Sequence, residues 1–176
     1  MTVDSSWLRS HFRDIPDWPK PGVLFKDITP LLGHVEAFRY SVNALVEQWD
    51  DLEFDSVAGV EARGFLFAAP VAYRMGVGLI PLRKPGKLPW ETLERTYDLE
   101  YGTDSMEVHR DAAGVGDRVL LIDDVLATGG TAAAACALLE DLGATVVGVG
   151  VVLELGFLDG RARLDERDVR SLLVEG

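Results

Sequence analysis

Cysteine is almost absent from this 176-residue chain: Cys136 is the only one. A single thiol excludes an intrachain disulfide and points to a reducing compartment. Cations are scarce too, with 17 Lys and Arg against 29 Asp and Glu and a formal charge of −12. That balance argues against nucleic acid or an anionic membrane as the main partner. No apolar run has the length of a membrane span, and the opening segment MTVDSSWLRSHF lacks the apolar stretch of a secretory leader. Internal repeats and low-complexity tracts are missing as well. These absences lead to the expectation of a cytoplasmic protein.

What is present is enough to build a core. Hydrophobic residues make up 48% of the chain, including four Trp, seven Phe and four Tyr, so one domain over residues 1–176 is expected. Residues 1–33 read as an irregular segment, interrupted by Pro16, Pro19, Pro21 and Pro30. From Val35 to Leu52 apolar residues recur at helical spacing. SVAGV (56–60) reads as a buried strand. GFLFAAPVAYRMG (64–76) reads as a helix stopped by Gly76, with Pro70 in or near its first turns. VGLIPL (77–82) is a further strand. The charged stretch 83–96 has two prolines, one glycine and no period, and reads as a long loop. YDLEYG and SMEVHR suggest a hairpin. A strand over 118–124, an Ala-rich helix over 131–143 stopped by Gly143, and a strand over 145–155 complete the pattern. Nearly continuous apolar strands alternating with helices predict an α/β fold, with a central, mostly parallel sheet covered by helices on both faces. Ligands of such sheets sit beyond the carboxyl ends of the strands.

One stretch at such an end stands out: VLLIDDVLATGGT (119–131). It is not a Walker A loop, since no Gly-Lys-Ser/Thr follows, and it is not the dinucleotide fingerprint, since G-x-G-x-x-G is absent. Gly129, Gly130 and Thr131 are compatible with an ordinary tight turn and helix cap, and equally with a cradle that offers N–H groups to a phosphate. Asp123 and Asp124 add a constraint. Two adjacent carboxylates after an apolar run are costly to desolvate without partners, and they require hydroxyls, a metal or water. A ribose 5-phosphate meets both demands, with its phosphate on Thr128–Thr131 and its hydroxyls on the aspartates.

With this motif the chain resembles the type I phosphoribosyltransferases, and specifically their adenine-using branch. PGVLFKDITPLL (21–32), EARGFLFAAPVA (61–72), RKPGKLP (83–89), YDLEYGTDSMEVHRDA (97–112) and LELGFLDGR (153–161) match that branch in order, from about Trp7 to Leu173. The resemblance implies the type I phosphoribosyltransferase fold, with residues 1–33 as a small hood and 83–96 as a flexible lid. It implies a purine salvage reaction: adenine and 5-phosphoribosyl 1-diphosphate giving AMP and pyrophosphate.

The resemblance also distributes roles. Asp123, Asp124, Ala127, Thr128, Gly129, Gly130 and Thr131 would hold the ribose phosphate, and Arg63, Lys84 and Lys87 the pyrophosphate. Leu24 and Lys26 would read adenine through their backbone while Phe25 stacks on it. Glu100 would be the catalytic glutamate, with Tyr101 a weaker candidate beside it. By analogy the EARG turn is expected to carry a cis peptide at Glu61–Ala62. Magnesium is expected with the diphosphate, held mainly by substrate oxygens rather than by a protein cage, and the branch suggests a homodimer. Read without the resemblance, 83–87 is equally a solvated basic loop and Phe25 equally a core aromatic. His11, His34 and His109 show no metal spacing and read as surface or polar-contact residues, and Cys136 as a small core residue. Two other readings compete: a phosphoribosyltransferase for a 6-oxopurine, and a non-catalytic phosphoribosyl diphosphate sensor. The acidity and the few residues outside the matched segments count against an appended DNA-binding domain, which such a sensor would carry.

Overall fold

The computed structural model describes residues 5–99, 102–165 and 167–176. Five strands form one parallel sheet: β3 (Ser56–Val60), β4 (Gly78–Leu82), β7 (Arg118–Leu126), β8 (Thr145–Leu155) and β9 (Val169–Glu175), in the order β4-β3-β7-β8-β9. The central strand β7 shows why both faces are covered. Val119 and Leu121 enter the apolar cluster that includes Leu138 and Leu139 of helix α5 (Gly130–Asp141). Leu120 and Ile122 enter the opposite cluster, with Leu45 of α3 (Val35–Gln48) and Phe67 and Val71 of α4 (Phe65–Met75). Successive strand residues point to opposite faces, so an unbroken apolar run is what a sheet covered on both sides requires.

The helices have local causes. The His34 side chain caps α3 by accepting from the Ala37 N–H at 3.2 Å. The buried positions Ala37, Ser41, Val42 and Leu45 lie on one face of that helix. Gly76 ends α4 in the left-handed region, φ +71°, where glycine carries no Cβ penalty. Pro70 sits at the sixth position of α4, inside the helix rather than in its first turn.

Several expectations change. Residues 1–33 are not irregular throughout. They contain α1 (Ser5–Arg9), the antiparallel pair β1 (Arg13–Pro16) and β2 (Leu24–Asp27), and α2 (Thr29–Gly33). Elements of four or five residues are too short to show a period. The stretch 83–96 is loop only as far as Glu91, because Thr92–Thr96 begin β5 (Thr92–Leu99), which pairs with β6 (Gly102–His109). Strand β7 runs two residues past Asp124, and β9 was not anticipated at all. Cys136 is fully buried, and burial pushes its thiol up to about 12.

Candidate active site

Two cavities open at the carboxyl end of the sheet and meet at Arg63, Val125 and Ala127. The first, about 280 Å³, has Asp123, Asp124 and the 127–131 loop in its wall, together with Arg63 and Lys84. Asp123 and Asp124 belong to β7, which keeps its ladder to β8 through Asp123 opposite Val151 and Val125 opposite Leu153. The strand therefore carries both carboxylates, nearly buried, to the cavity. Burial and the neighbouring Asp124 charge push the Asp123 carboxyl well above its ordinary range. Burial raises Asp124 as well, against the pull of Arg63.

Arg63 Nε stands 2.9 Å from Asp124 Oδ2, yet that oxygen is buried and accepts no hydrogen bond. The contact is thus an ion pair in which the N–H is not aimed at the oxygen. A buried carboxylate oxygen with a free acceptor site is costly unless something donates to it. Gly64, next to Arg63, permits this crowding: a Cβ there would lie 2.7 Å from Asp123 Oδ1 and 2.7 Å from the Val60 carbonyl oxygen.

In the wall of the same cavity, Gly129 (φ +81°) turns the chain into α5. No side chain caps that helix. Among the described residues no side chain accepts from its first amides, which lie at the edge of the cavity, where the helix dipole favours an anion. Lys84 forms an ion pair with Asp104, and its Nζ lies 3.5 Å from the Tyr97 hydroxyl. Partial burial opposes the Lys84 charge, but bonding to Asp104 outweighs it and raises the pKa above the ordinary lysine value. Glu61 accepts from the Lys84 N–H at 2.8 Å and from Arg83 Nε at 3.1 Å. Glu107 accepts from the N–H groups of Lys87 and Leu88, both at 2.9 Å. The 83–88 turn, expected as part of a flexible lid, is thus held by a carboxylate at each end. The Lys87 side chain is exposed and does not line the cavity. The Glu61–Ala62 peptide is cis.

The second cavity, about 360 Å³, is lined by Leu24, Phe25 and Lys26 of β2 and by Leu155, Phe157 and Leu158 across from them. Phe25 is half-buried rather than a core residue. The Arg63 guanidinium lies 4.9 Å over its ring, and the Trp18 ring meets it edge-on at 4.3 Å. Lys26 sends its ammonium away from the cavity, into ion pairs with Asp14 at 3.0 Å and Glu175 at 2.6 Å. Its carbonyl accepts from Arg63 Nη1 at 3.4 Å.

Arg63 and Lys84 are thus brought to the cavity of Asp123, Asp124 and the 127–131 loop, and Leu24, Phe25 and Lys26 share the wall of a separate one. Glu100 and Tyr101 lie outside the described residues. Phe157, Leu158, Tyr97 and Asp104 were not singled out from the sequence. Tyr97 faces Asp104 across the β5–β6 pair, so the register of the expected hairpin was the signal for that couple. The signal for Phe157 was an aromatic residue just past the carboxyl end of a strand.

Comparison with known proteins gives a consistent result. The model of the phosphoribosyl transferase domain matches residues 31–173. The adenine phosphoribosyltransferase of Thermobifida fusca is 58% identical over 173 residues, 98% of either chain. The crystal structure of the enzyme of that name from Thermoanaerobacter pseudethanolicus superposes with a TM-score of 0.95 at 52% identity, covering 98% of this chain and all of that one. The Saccharomyces cerevisiae adenine phosphoribosyltransferase, solved with an imino-altritol bisphosphate and adenine, superposes with a TM-score of 0.88 at 39% identity, covering 96% and 98% of the two chains.

Proposed function

The chain belongs to the phosphoribosyl transferase family, and from that premise we propose that its two cavities join adenine to 5-phosphoribosyl 1-diphosphate. The products are AMP and pyrophosphate, a purine salvage step. The observation that carries this reading is Asp124 Oδ2, a buried oxygen paired with Arg63 but accepting no aligned hydrogen bond, on the wall of a cavity that also holds an uncapped helix start. A sugar phosphate supplies the missing hydroxyl donors at one end and a phosphate for the amides at the other.

In this reading Asp123 and Asp124 accept from the ribose hydroxyls, and Ala127 to Thr131 hold the 5-phosphate. Adenine lies against Phe25, with Leu158 and Phe157 walling the far side, and the backbone of Leu24 and Lys26 meets its amidine edge. N9 attacks C1 while the C1–O bond to pyrophosphate breaks and its electron pair leaves with the phosphate oxygen. Arg63 and Lys84, both on the wall of the first cavity, would meet that growing negative charge, and preorganised cations are a principal source of rate. Lys87 joins them by swinging its exposed side chain inward. Glu100 handles the proton on the base.

Magnesium would neutralise charge on the departing pyrophosphate. Among the described residues no group of three His, Cys, Asp or Glu side chains forms a cage. An ion held by phosphate and ribose oxygens needs none, and the free acceptor on Asp124 suits water or hydroxyls around such an ion. The reaction belongs in the cytoplasm, since a diphosphorylated sugar does not cross membranes unaided. A homodimer is supported by Leu66 and Tyr73, exposed two turns apart on one face of α4, and by exposed Leu79 on edge strand β4.

The test is the forward reaction with adenine, phosphoribosyl diphosphate and Mg²⁺. One AMP and one pyrophosphate per adenine consumed supports the reading, and no turnover removes it.

A further inference from the structure

The segment LGFLDGR (155–161) contributes Leu155, Phe157 and Leu158 to the second cavity, but that does not explain the Asp-Gly-Arg that follows. Gly160 lies against the phosphate loop. A Cβ on Gly129 would overlap the Gly160 carbonyl oxygen and stand 3.0 Å from its carbon. In return, a Cβ on Gly160 would overlap the Ala127 carbonyl oxygen and stand 3.1 Å from the Gly129 nitrogen. Two stretches of backbone 31 residues apart in sequence therefore interlock, each requiring glycine in the other. Glycine is the residue that permits such an approach.

Something must hold Gly160 at that height. It opens a short 3-10 turn, Gly160–Arg163, entered through Asp159 in the left-handed region at φ +50°. The next side chain, Arg161, is fastened in three directions. Its Nε and Nη2 meet the two carboxylate oxygens of Glu154 on β8 at 2.6 and 2.7 Å. Nη1 donates to the Val169 carbonyl on β9 at 2.8 Å, and Nη2 also reaches the Ser171 hydroxyl at 3.3 Å. Glu154 is buried, and its hydrogen bonds from Arg161 hold its carboxyl below the usual range. A bidentate guanidinium on a carboxylate is a planar, directional lock, which a lysine does not reproduce.

We propose that Arg161, clamped on Glu154, is a positioning residue for the phosphate loop. It seats Gly160 under Ala127 and Gly129, so that the amides at the start of α5 are fixed before the 5-phosphate arrives. This rests on the proposed binding of ribose phosphate at that loop. The two parts of the segment then serve different ligands: Phe157 and Leu158 the base, Gly160 and Arg161 the phosphate.

The experiment measures ribose 5-phosphate affinity by calorimetry for the wild type, Arg161→Ala, Arg161→Lys, Gly160→Ala and Phe157→Ala. Hydrogen exchange of the Ala133 amide, which bonds the Gly129 carbonyl at 2.9 Å, is followed in parallel. Arg161→Ala and Gly160→Ala are expected to weaken ribose 5-phosphate about tenfold or more, since small displacements of binding groups are expensive. Arg161→Lys falls between them and the wild type, and Phe157→Ala leaves this affinity unchanged while raising the KM for adenine. In Arg161→Ala the Ala133 amide exchanges faster and those of α4 do not, which a general loss of stability would not produce. If Gly160→Ala does not fold, the arginine pair still decides. Unchanged affinity in a folded Arg161→Ala, or equal acceleration of exchange throughout, overturns the proposal while the proposed function stands. A wild type that turns over adenine but binds no ribose 5-phosphate overturns the proposal as well, and one that does neither removes both.

Discussion

Arg63 Nε lies 2.9 Å from Asp124 Oδ2 without donating a hydrogen bond to it, while the same guanidinium covers the Phe25 ring. One side chain thus lines both cavities, the proposed ribose site and the proposed base site. Arg63→Lys keeps the charge but loses the stacked plane and the bond to the Lys26 carbonyl. In this account kcat/KM for the forward reaction falls about a hundredfold, the scale of losing one preorganised hydrogen-bond donor. Steady-state rates with each substrate varied check this, and a loss below about threefold would contradict it.

The buried aspartates predict a conflict between stability and activity. The folded pKa of Asp123 is raised above its ordinary value, so the protonated form is the one that folding favours. Its stabilising contribution is present below the ordinary value near 3.8 and is lost as pH rises through the folded pKa. Asp123→Asn removes that loss. Its melting temperature should exceed the wild type's at about pH 8 and converge with it towards about pH 4. A difference that does not vary with pH would contradict the burial argument.

The Lys26 side chain is buried beneath β2 between Asp14 and Glu175, which leaves only its backbone for the second cavity, and Arg9 pairs with both acids. A two-stranded ribbon such as β1–β2 is marginal alone, and this network ties it to β9. Glu175→Gln should raise the KM for adenine several-fold and leave the KM for phosphoribosyl diphosphate unchanged. The expected stability loss is about 1–3 kcal/mol, less than for a fully buried pair because Asp14 remains and is partly exposed. A parallel rise in both KM values would sink the assignment.

Glu107 holds the 83–88 turn. Burial opposes its charge, but the N–H groups of Leu88, Gly86 and Lys87 outweigh burial and keep its carboxyl below the usual range. With the folded pKa lowered, this clamp contributes stability above the ordinary value near 4.5 and loses it as pH falls through the folded pKa. Glu107→Gln should free the turn, raising the KM for phosphoribosyl diphosphate about tenfold and leaving that for adenine unchanged. Proteolysis within 83–91 should quicken. Unaltered cleavage would speak against the clamp.

The parts of this molecule that were legible from sequence are those with long or chemically unusual patterns. The run 119–122 announced a strand covered on both faces, and Asp123 and Asp124 after it announced the polar wall of a cavity. The strand's continuation to Leu126 was hidden because acids read as a strand's end, although the ladder uses only backbone. The elements α1, β1 and β2 are shorter than any periodicity. Strand β9 holds a short apolar run, Leu172–Val174, with no turn signal to set it off. Side-chain direction was the least accessible property: nothing in VLFKDI distinguishes Phe25, on the cavity, from Lys26, turned beneath it. The Gly129–Gly160 interlock is a relation between distant segments and has no local signature.

The central claim is tested most directly by product formation from adenine, hypoxanthine, guanine and xanthine in parallel, each with phosphoribosyl diphosphate and Mg²⁺. Wild-type protein and Asp123→Asn/Asp124→Asn are run side by side. The account predicts AMP from adenine and no nucleotide from the 6-oxopurines. It also predicts a folded double variant slowed about a hundredfold or more, as losing two charge-assisted hydrogen bonds of roughly 1.5–3 kcal/mol each requires. Nucleotide from a 6-oxopurine in preference to adenine, or a double variant of near-normal rate, would contradict it.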